Sequence, residues 1–151
     1  MASPLKQRIQ SDVTDAMRAK DKPRLGTLRL VTAAIKQIEV DSREDLDDAG
    51  VLAVLEKMLK QRRDSLQQYS DAGRTDLADH ESYEIGIIEA YMPEALPAEE
   101  LDALIDAAIA QAGAQSMRDM GKVMGLLKAQ VQGRADLRAV SGSVKQKLAG
   151  G

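Results

Sequence analysis

Apolar residues recur at every third or fourth position through almost the whole chain, and this spacing restricts the fold more than any other feature. The first stripe consists of Leu5, Ile9, Val13 and Met17. Val and Ile never alternate with polar residues in short runs bounded by turn residues, as they would in half-buried strands. Phe and Trp are absent, so the core must be built from aliphatic side chains, Met and Ala, which suit packed helices. The sequence therefore predicts an all-α fold.

Two prolines divide the predicted helices into two groups. Pro93 and Pro97 interrupt helical hydrogen bonding and stiffen the connection between the groups. Four helices are expected before this break and three shorter ones after it. We place a helical domain at residues 1–95 and a small tail domain at residues 96–151.

Several local signals set the expected helix ends and faces. Ser3 precedes Pro4 as an N-cap, Asp47 or Asp48 caps the third helix, and Ser116 forms a capping box with Asp119. The second helix is expected from about Pro23 to Asp41, with Ile38 on its buried side. In the third helix, Arg62 interrupts a seven-residue apolar repeat. The polar side of the fourth helix is expected to carry Asp79, Glu81, Glu84 and Glu89.

Positive charge is concentrated near the C-terminus. From residue 116 onward there are seven Lys and Arg against two acids, a net charge of +5, whereas the preceding 115 residues have 14 against 22, a net charge of −8. A second cluster lies in the first 36 residues, with eight Lys and Arg against three Asp. This separation favours a local anionic partner, and ordinary solvated helix faces are the alternative.

The sequence shows no grouping of residues that is typical of catalysis or of metal binding. Without Cys, disulfides and thiolate metal sites are excluded, and the single histidine, His80, lies in a polar stretch without visible partners. Nucleotide-binding glycine motifs are absent. We therefore predict a non-catalytic protein with no cofactor and no metal.

The chain also lacks a signal-like segment and an apolar run of about 18 residues, so we expect a cytoplasmic location and no membrane partner.

The stretch from Ser116 to Asp136 combines an apolar stripe with glycines and cations. Gly121 and Gly125 lie one turn apart, where each costs about 1 kcal/mol relative to alanine. Either they let two helices pack closely, or they open a surface on which a sugar-phosphate backbone can lie. Lys122, Lys128 and Arg134 supply positive charge along the stretch.

These residues are the ones that carry a family resemblance. The segment Met120-Gly121-Lys122-Val123-Met124-Gly125, the turn Gly133-Arg134-Ala135-Asp136 and the closing Val144-Lys145-x-x-Leu148 resemble the GatB/YqeY family. The front of the chain is similar to its YqeY-type helical domain. One departure is that Leu137 and Arg138 follow Asp136 where the family usually has a glycine soon after.

The resemblance implies a helical domain followed by an α-helical tail domain. In the B subunit of the tRNA-dependent amidotransferase, the related region holds tRNA and follows a catalytic cradle that this chain lacks. The resemblance therefore implies binding of tRNA or another structured RNA without amidation. RNA contact is carried over first to Lys122, Lys128 and Arg134 and then to Lys145 and Lys147. Backbone-approach or structural roles are carried over to Gly121, Gly125, Gly133 and Asp136.

Two alternatives stay open. In the first, the chain is a protein-interaction adaptor that binds an amidotransferase or an aminoacyl-tRNA synthetase. In the second, it is an accessory of a carbon–nitrogen ligase that uses glutamine as amido-nitrogen donor. The acidic third and fourth helices would serve the adaptor by meeting a basic partner.

Overall fold

A computed structural model describes residues 3–150, and within them the backbone forms helices and no strand. The all-α prediction is confirmed. The helices are α1 Pro4–Arg18, α2 Lys22–Ser42, α3 Asp48–Asp71, α4 Thr75–Glu89, α5 Ala98–Ala112, α6 Met120–Val131 and α7 Leu137–Gly150, with a short 3-10 helix at Met117–Asp119 before α6.

Side-chain caps fix several helix starts. The Ser3 hydroxyl accepts a hydrogen bond from the Lys6 amide, and the Asp47 carboxylate accepts one from the Gly50 amide. Ser116 and Asp119 form the expected capping box, and the amides of Gln115 and Ser116 hold the pKa of the Asp119 carboxyl below its usual value. Each cap satisfies backbone donors that a helix leaves unpaired in its first turn.

The chain divides into two compact units, one up to Met92 and one from Pro93 onward. The first unit contains α1 to α4, and α3 packs extensively along α4. Its core is aliphatic apart from Tyr91, whose hydroxyl donates to Asp12 at 2.5 Å. Burial raises the pKa of Tyr91, and the Asp12 carboxylate raises it further. The buried residues are Ile9, Ala16, Leu28, Val31, Ile35, Val51, Val54, Leu55, Met58, Leu59, Ile88 and Tyr91.

A buried ion pair joins α3 to α4. Glu84 is only 5% exposed, and its carboxylate lies 3.7 Å from the Arg62 guanidinium. His80, one turn before Glu84 on α4, places Nε2 3.2 Å from the same carboxylate while its own ring is mostly exposed. The expectation that Glu84 lies on the polar side of its helix is therefore wrong. Arg62 interrupts the apolar repeat of α3 because it is the partner of this acid.

Two residues of the apolar stripes predicted for the first unit are exposed. Met17 at the end of α1 is 52% exposed, and Ile38 in the last third of α2 is 41% exposed. The spacing of Ile38 agrees with the buried face, but the helix continues past the core of the unit at this point. Its assignment to the buried side was wrong.

The second unit has its own aliphatic core formed by α5, α6 and α7. Lys147 on α7 contacts two carboxylates of α5, Asp102 at 2.8 Å and Asp106 at 2.7 Å. These contacts hold the pKa of Lys147 above its usual value. The buried residues are Ile105, Ala108, Val123, Leu127, Val131, Val140, Val144 and Leu148.

Candidate functional site

The two faces of α6 differ sharply in composition. Val123, Leu127 and Val131 are buried in the core of the second unit. On the opposite face, Gly121, Gly125 and Ala129 are exposed. The exposed face of α6 therefore presents backbone with almost no side chain. We call these three residues, together with Lys122 and Lys128, the α6 face.

The two glycines are not needed for packing within this unit. A Cβ atom added at Gly121 or at Gly125 would meet no described atom within 4 Å beyond the immediate neighbourhood in its own helix. No other helix of the unit approaches them, so the interpretation that they let two helices of this chain pack closely is wrong. The open surface is the interpretation that agrees with the structure.

Replacing Gly125 by alanine is expected to stabilise the second unit by about 1 kcal/mol, because alanine is the better helix former and the added methyl group meets open space. Thermal unfolding followed by circular dichroism measures this effect. Gly113 is the control, because its φ of +63° is strained for alanine and the same substitution there is expected to destabilise the unit. A destabilised Gly125→Ala protein would contradict the open surface.

Two lysines flank the bare strip. With 3.6 residues per turn, Lys122 and Lys128 lie about 60° to either side of Gly125 around the helix axis. Both are exposed, and among residues 3–150 neither has a carboxylate within 4 Å. Lys122 contributes at longer range to the low pKa of the Asp119 carboxyl. Their charge is therefore available to an anion outside the protein.

Two of the other three residues that we expected to contact RNA have internal partners in this unit. Arg134 donates from Nε to the Glu94 carbonyl oxygen at 3.1 Å, and its own carbonyl accepts from the Leu96 amide at 2.8 Å. Lys147 bridges the two aspartates of α5. These contacts give Arg134 and Lys147 structural roles, so the α6 face does not require them. Lys145 is exposed on α7.

The turn between α6 and α7 contains Gly133 and Asp136, the remaining two residues for which a structural role was expected. Gly133 has a φ of +74°, a conformation that glycine adopts without strain. The Asp136 carboxylate accepts a hydrogen bond from the Arg138 amide at 3.0 Å, and its carbonyl accepts one from the Val140 amide. Both residues shape the start of α7.

The described residues offer little else that resembles a binding centre. Between residues 3 and 150, no three His, Asp or Glu side chains gather closely enough to hold a metal ion. No helix in the same range combines the length and the apolar character that a bilayer requires.

Comparison with known proteins gives a family and a set of relatives. The sequence profile of the YqeY family, described as "Yqey-like protein", matches residues 6–148. The chain is 28% identical over 142 residues to "Altered inheritance of mitochondria protein 41, mitochondrial" from Pyrenophora tritici-repentis, which covers 92% of this chain and 78% of that protein. The proteins of the same name from Eremothecium gossypii and Kluyveromyces lactis are 41% and 40% identical, over 66% and 64% of this chain. The chain spans about half the length of these two relatives, 56% and 54%.

These names contradict the cytoplasmic location that we expected, and that prediction was wrong. It depended on the lack of a basic segment followed by an apolar one, the pattern of secretory signals. Mitochondrial targeting segments are amphipathic and rich in arginine, so the lack of a secretory pattern gives no information about them.

The profile match begins in α1 and ends in α7, so it includes both compact units. It covers the residues of the α6 face and the turn before α7. The chain therefore belongs to the YqeY-like family.

Proposed function

We propose that this protein is a non-catalytic RNA-binding module with a preference for tRNA-like structure. The observation that carries the proposal is the α6 face, in which a bare helical strip is flanked by Lys122 and Lys128. A phosphate backbone can approach such a strip closely because no side chain keeps it away. The two ammonium groups then lie on either side of the bound strand.

The chemistry of the face suits RNA backbone rather than RNA bases. Structured RNA is recognised largely through its shape, its phosphates and its 2′-hydroxyl groups. The α6 face has cations and exposed backbone but no aromatic side chain on which a base could stack. The resemblance to the tRNA-holding region of the amidotransferase B subunit supports the same class of ligand. The names of the relatives support a mitochondrial location for this chain.

Removing the two lysines is expected to weaken binding of total tRNA and to make the remaining binding less sensitive to salt. Each lysine that contacts a phosphate releases a counterion, so Lys122→Ala with Lys128→Ala is expected to reduce the slope of log K against log salt by about 1.5. Fluorescence anisotropy with labelled tRNA over a series of salt concentrations measures this slope.

The matched control is Arg63→Ala with Arg74→Ala. It removes the same charge from two exposed arginines that already pair with Glu89 and Asp76. Wild-type protein that does not bind tRNA, or that binds equally well at low and high salt, would overturn the proposal. An equal loss in the control would show that net charge, and not the α6 face, determines binding.

A further inference from the structure

Helix α2 carries a concentration of exposed aliphatic side chains. Of the seven large hydrophobic residues that are exposed in the described chain, three lie on α2: Leu30, Ile38 and Val40. Leu30 is 49% exposed and Val40 is 62% exposed. Exposed single residues are ordinary on a surface, but their clustering on one helix indicates an interaction site.

Two of these aliphatic residues belong to a seven-residue repeat that faces away from the core. Gly26, Ala33 and Val40 are seven residues apart, and Leu30 and Gln37 fall between them with the same period. This alternation of three- and four-residue steps is the a/d pattern of a coiled-coil seam. All five residues are exposed, and the buried Leu28, Val31 and Ile35 lie toward the opposite side of the helix. We call the five residues the α2 seam.

A column of cations runs beside the α2 seam. Arg29 and Lys36 immediately precede the seam residues Leu30 and Gln37, which makes them g positions of the repeat, and Lys22 lies seven residues before Arg29 at the same position. All three are exposed, and none has a carboxylate within 4 Å in the described structure. No Asp or Glu occurs between Lys22 and Ile38.

The seam permits close approach of a second helix. Gly26 and Ala33 are small, and a Cβ atom added at Gly26 would meet no described atom within 4 Å outside its own stretch of helix. From Gly26 to Val40 the seam is about 21 Å long, at 1.5 Å per residue. This length is sufficient for about two heptads of a partner helix.

We propose that the outward face of α2 docks a helix of another protein that has an aliphatic seam flanked by acidic residues. In a coiled coil, residues at e and g determine the partner through charge, so a row of cations at g selects carboxylates. A second copy of α2 is a poorer occupant: in an antiparallel pair its Lys and Arg would face those of the first at g, and in a parallel pair, where g faces e, only Lys36 would meet a carboxylate, that of Asp41. This docking site is separate from the RNA contact proposed above, since it uses α2 of the first unit.

Two other anionic surfaces fit the face less well. A phosphate backbone would pair with the cations but would leave Leu30 and Val40 without a partner. An anionic bilayer would require a broad apolar face, whereas Ile38 lies well to one side of the seam and only two large aliphatic residues remain. An acidic helix with aliphatic seam residues uses both the charge and the apolar surface.

The probe is a designed helical peptide of about four heptads, with Leu and Ala at the seam and Glu at e and g. We expect the full-length protein to bind it and Arg29→Glu with Lys36→Glu to weaken binding at least about tenfold. A peptide with Lys in place of Glu is expected to prefer this variant. Fluorescence anisotropy measures affinity, and circular dichroism confirms that the proteins are folded.

Controls separate the seam from general surface effects. Arg63→Glu with Arg74→Glu changes the same charge elsewhere on the first unit and is expected to leave binding unchanged. Leu30→Asn is expected to abolish binding, whereas Met17→Asn, at another exposed apolar position, is not. The proposal is overturned if the Glu peptide does not bind, or if it binds no better than the Lys peptide. It is also overturned if substitutions on α2 weaken tRNA binding and leave peptide binding intact.

Discussion

Replacing Arg62 by methionine is expected to lower the free energy of unfolding of the first unit by about 3–5 kcal/mol. The substitution leaves the Glu84 carboxylate buried without its guanidinium partner, 3.7 Å away in the native protein. His80 is the remaining ionisable group at hydrogen-bond distance from this carboxylate, and its ring is mostly exposed, so it does not take the buried position of the guanidinium. Urea unfolding followed by circular dichroism measures the loss.

Two further proteins make this test specific. Arg63→Met removes the neighbouring arginine, whose pair with Glu89 is half exposed, and is expected to cost less than about 1 kcal/mol. Arg62→Met combined with Glu84→Leu is expected to recover most of the stability, since the Arg62 Nε atom is buried without a hydrogen-bond partner among the described residues. If Arg62→Met lowered the free energy of unfolding no more than Arg63→Met does, the Arg62–Glu84 pair would be effectively solvated and the prediction would be wrong.

Truncating Leu127 to alanine is expected to destabilise the second unit by about 2–5 kcal/mol. Leu127 is fully buried, and the core around it is small, so the cavity has few neighbours that could close it. Because the α6 face belongs to the same helix, tRNA binding is expected to be lost together with the structure of this unit.

Hydrogen exchange resolved by segment measures where stability is lost. If the two units are independent domains, amides of α5 to α7 lose protection in Leu127→Ala and amides of α1 to α4 keep it. Leu137→Ala, at a partly exposed leucine of α7, is the matched control and is expected to change little. Equal loss of protection in both units would contradict independent folding, and the domain limits at residue 95 stay a prediction until this is measured.

The helices were predictable from sequence because their signals are local. Apolar spacing, a capping serine or aspartate, and a glycine or proline at the end each act within a few residues of chain. The starts at Ser3, Asp47 and Ser116 therefore agree with the structure. The second helix begins one residue before Pro23, with Asp21 as its cap.

Burial was less predictable, since it depends on residues far away in sequence. Glu84 looks like part of a solvated face until Arg62, 22 positions earlier, is placed beside it. The interruption of the α3 repeat at Arg62 was the available signal, because a cation at an apolar position requires a buried acid nearby. Ile38 and Met17 show the opposite case, in which the apolar pattern continues beyond the core.

For the candidate site, the cations could be named from the sequence, but the sequence could not show which of them are exposed and which have internal partners. Lys122 and Lys128 share an exposed face with two glycines, whereas Arg134 and Lys147 are held by Glu94 and by α5. Only tertiary contacts separate a cation that is available to a ligand from one that is already paired. RNA contact by any of them stays a prediction.

The lysine bridge in the second unit has a consequence for how this unit assembles. Asp102 and Asp106 are one turn apart on α5, so their charges repel each other along the isolated helix. Lys147 reaches them from α7, 41 residues later than Asp106. The repulsion between the two aspartates of α5 is therefore offset by Lys147 only after α7 has packed against α5. We expect folding of the second unit to depend on α7 for this reason.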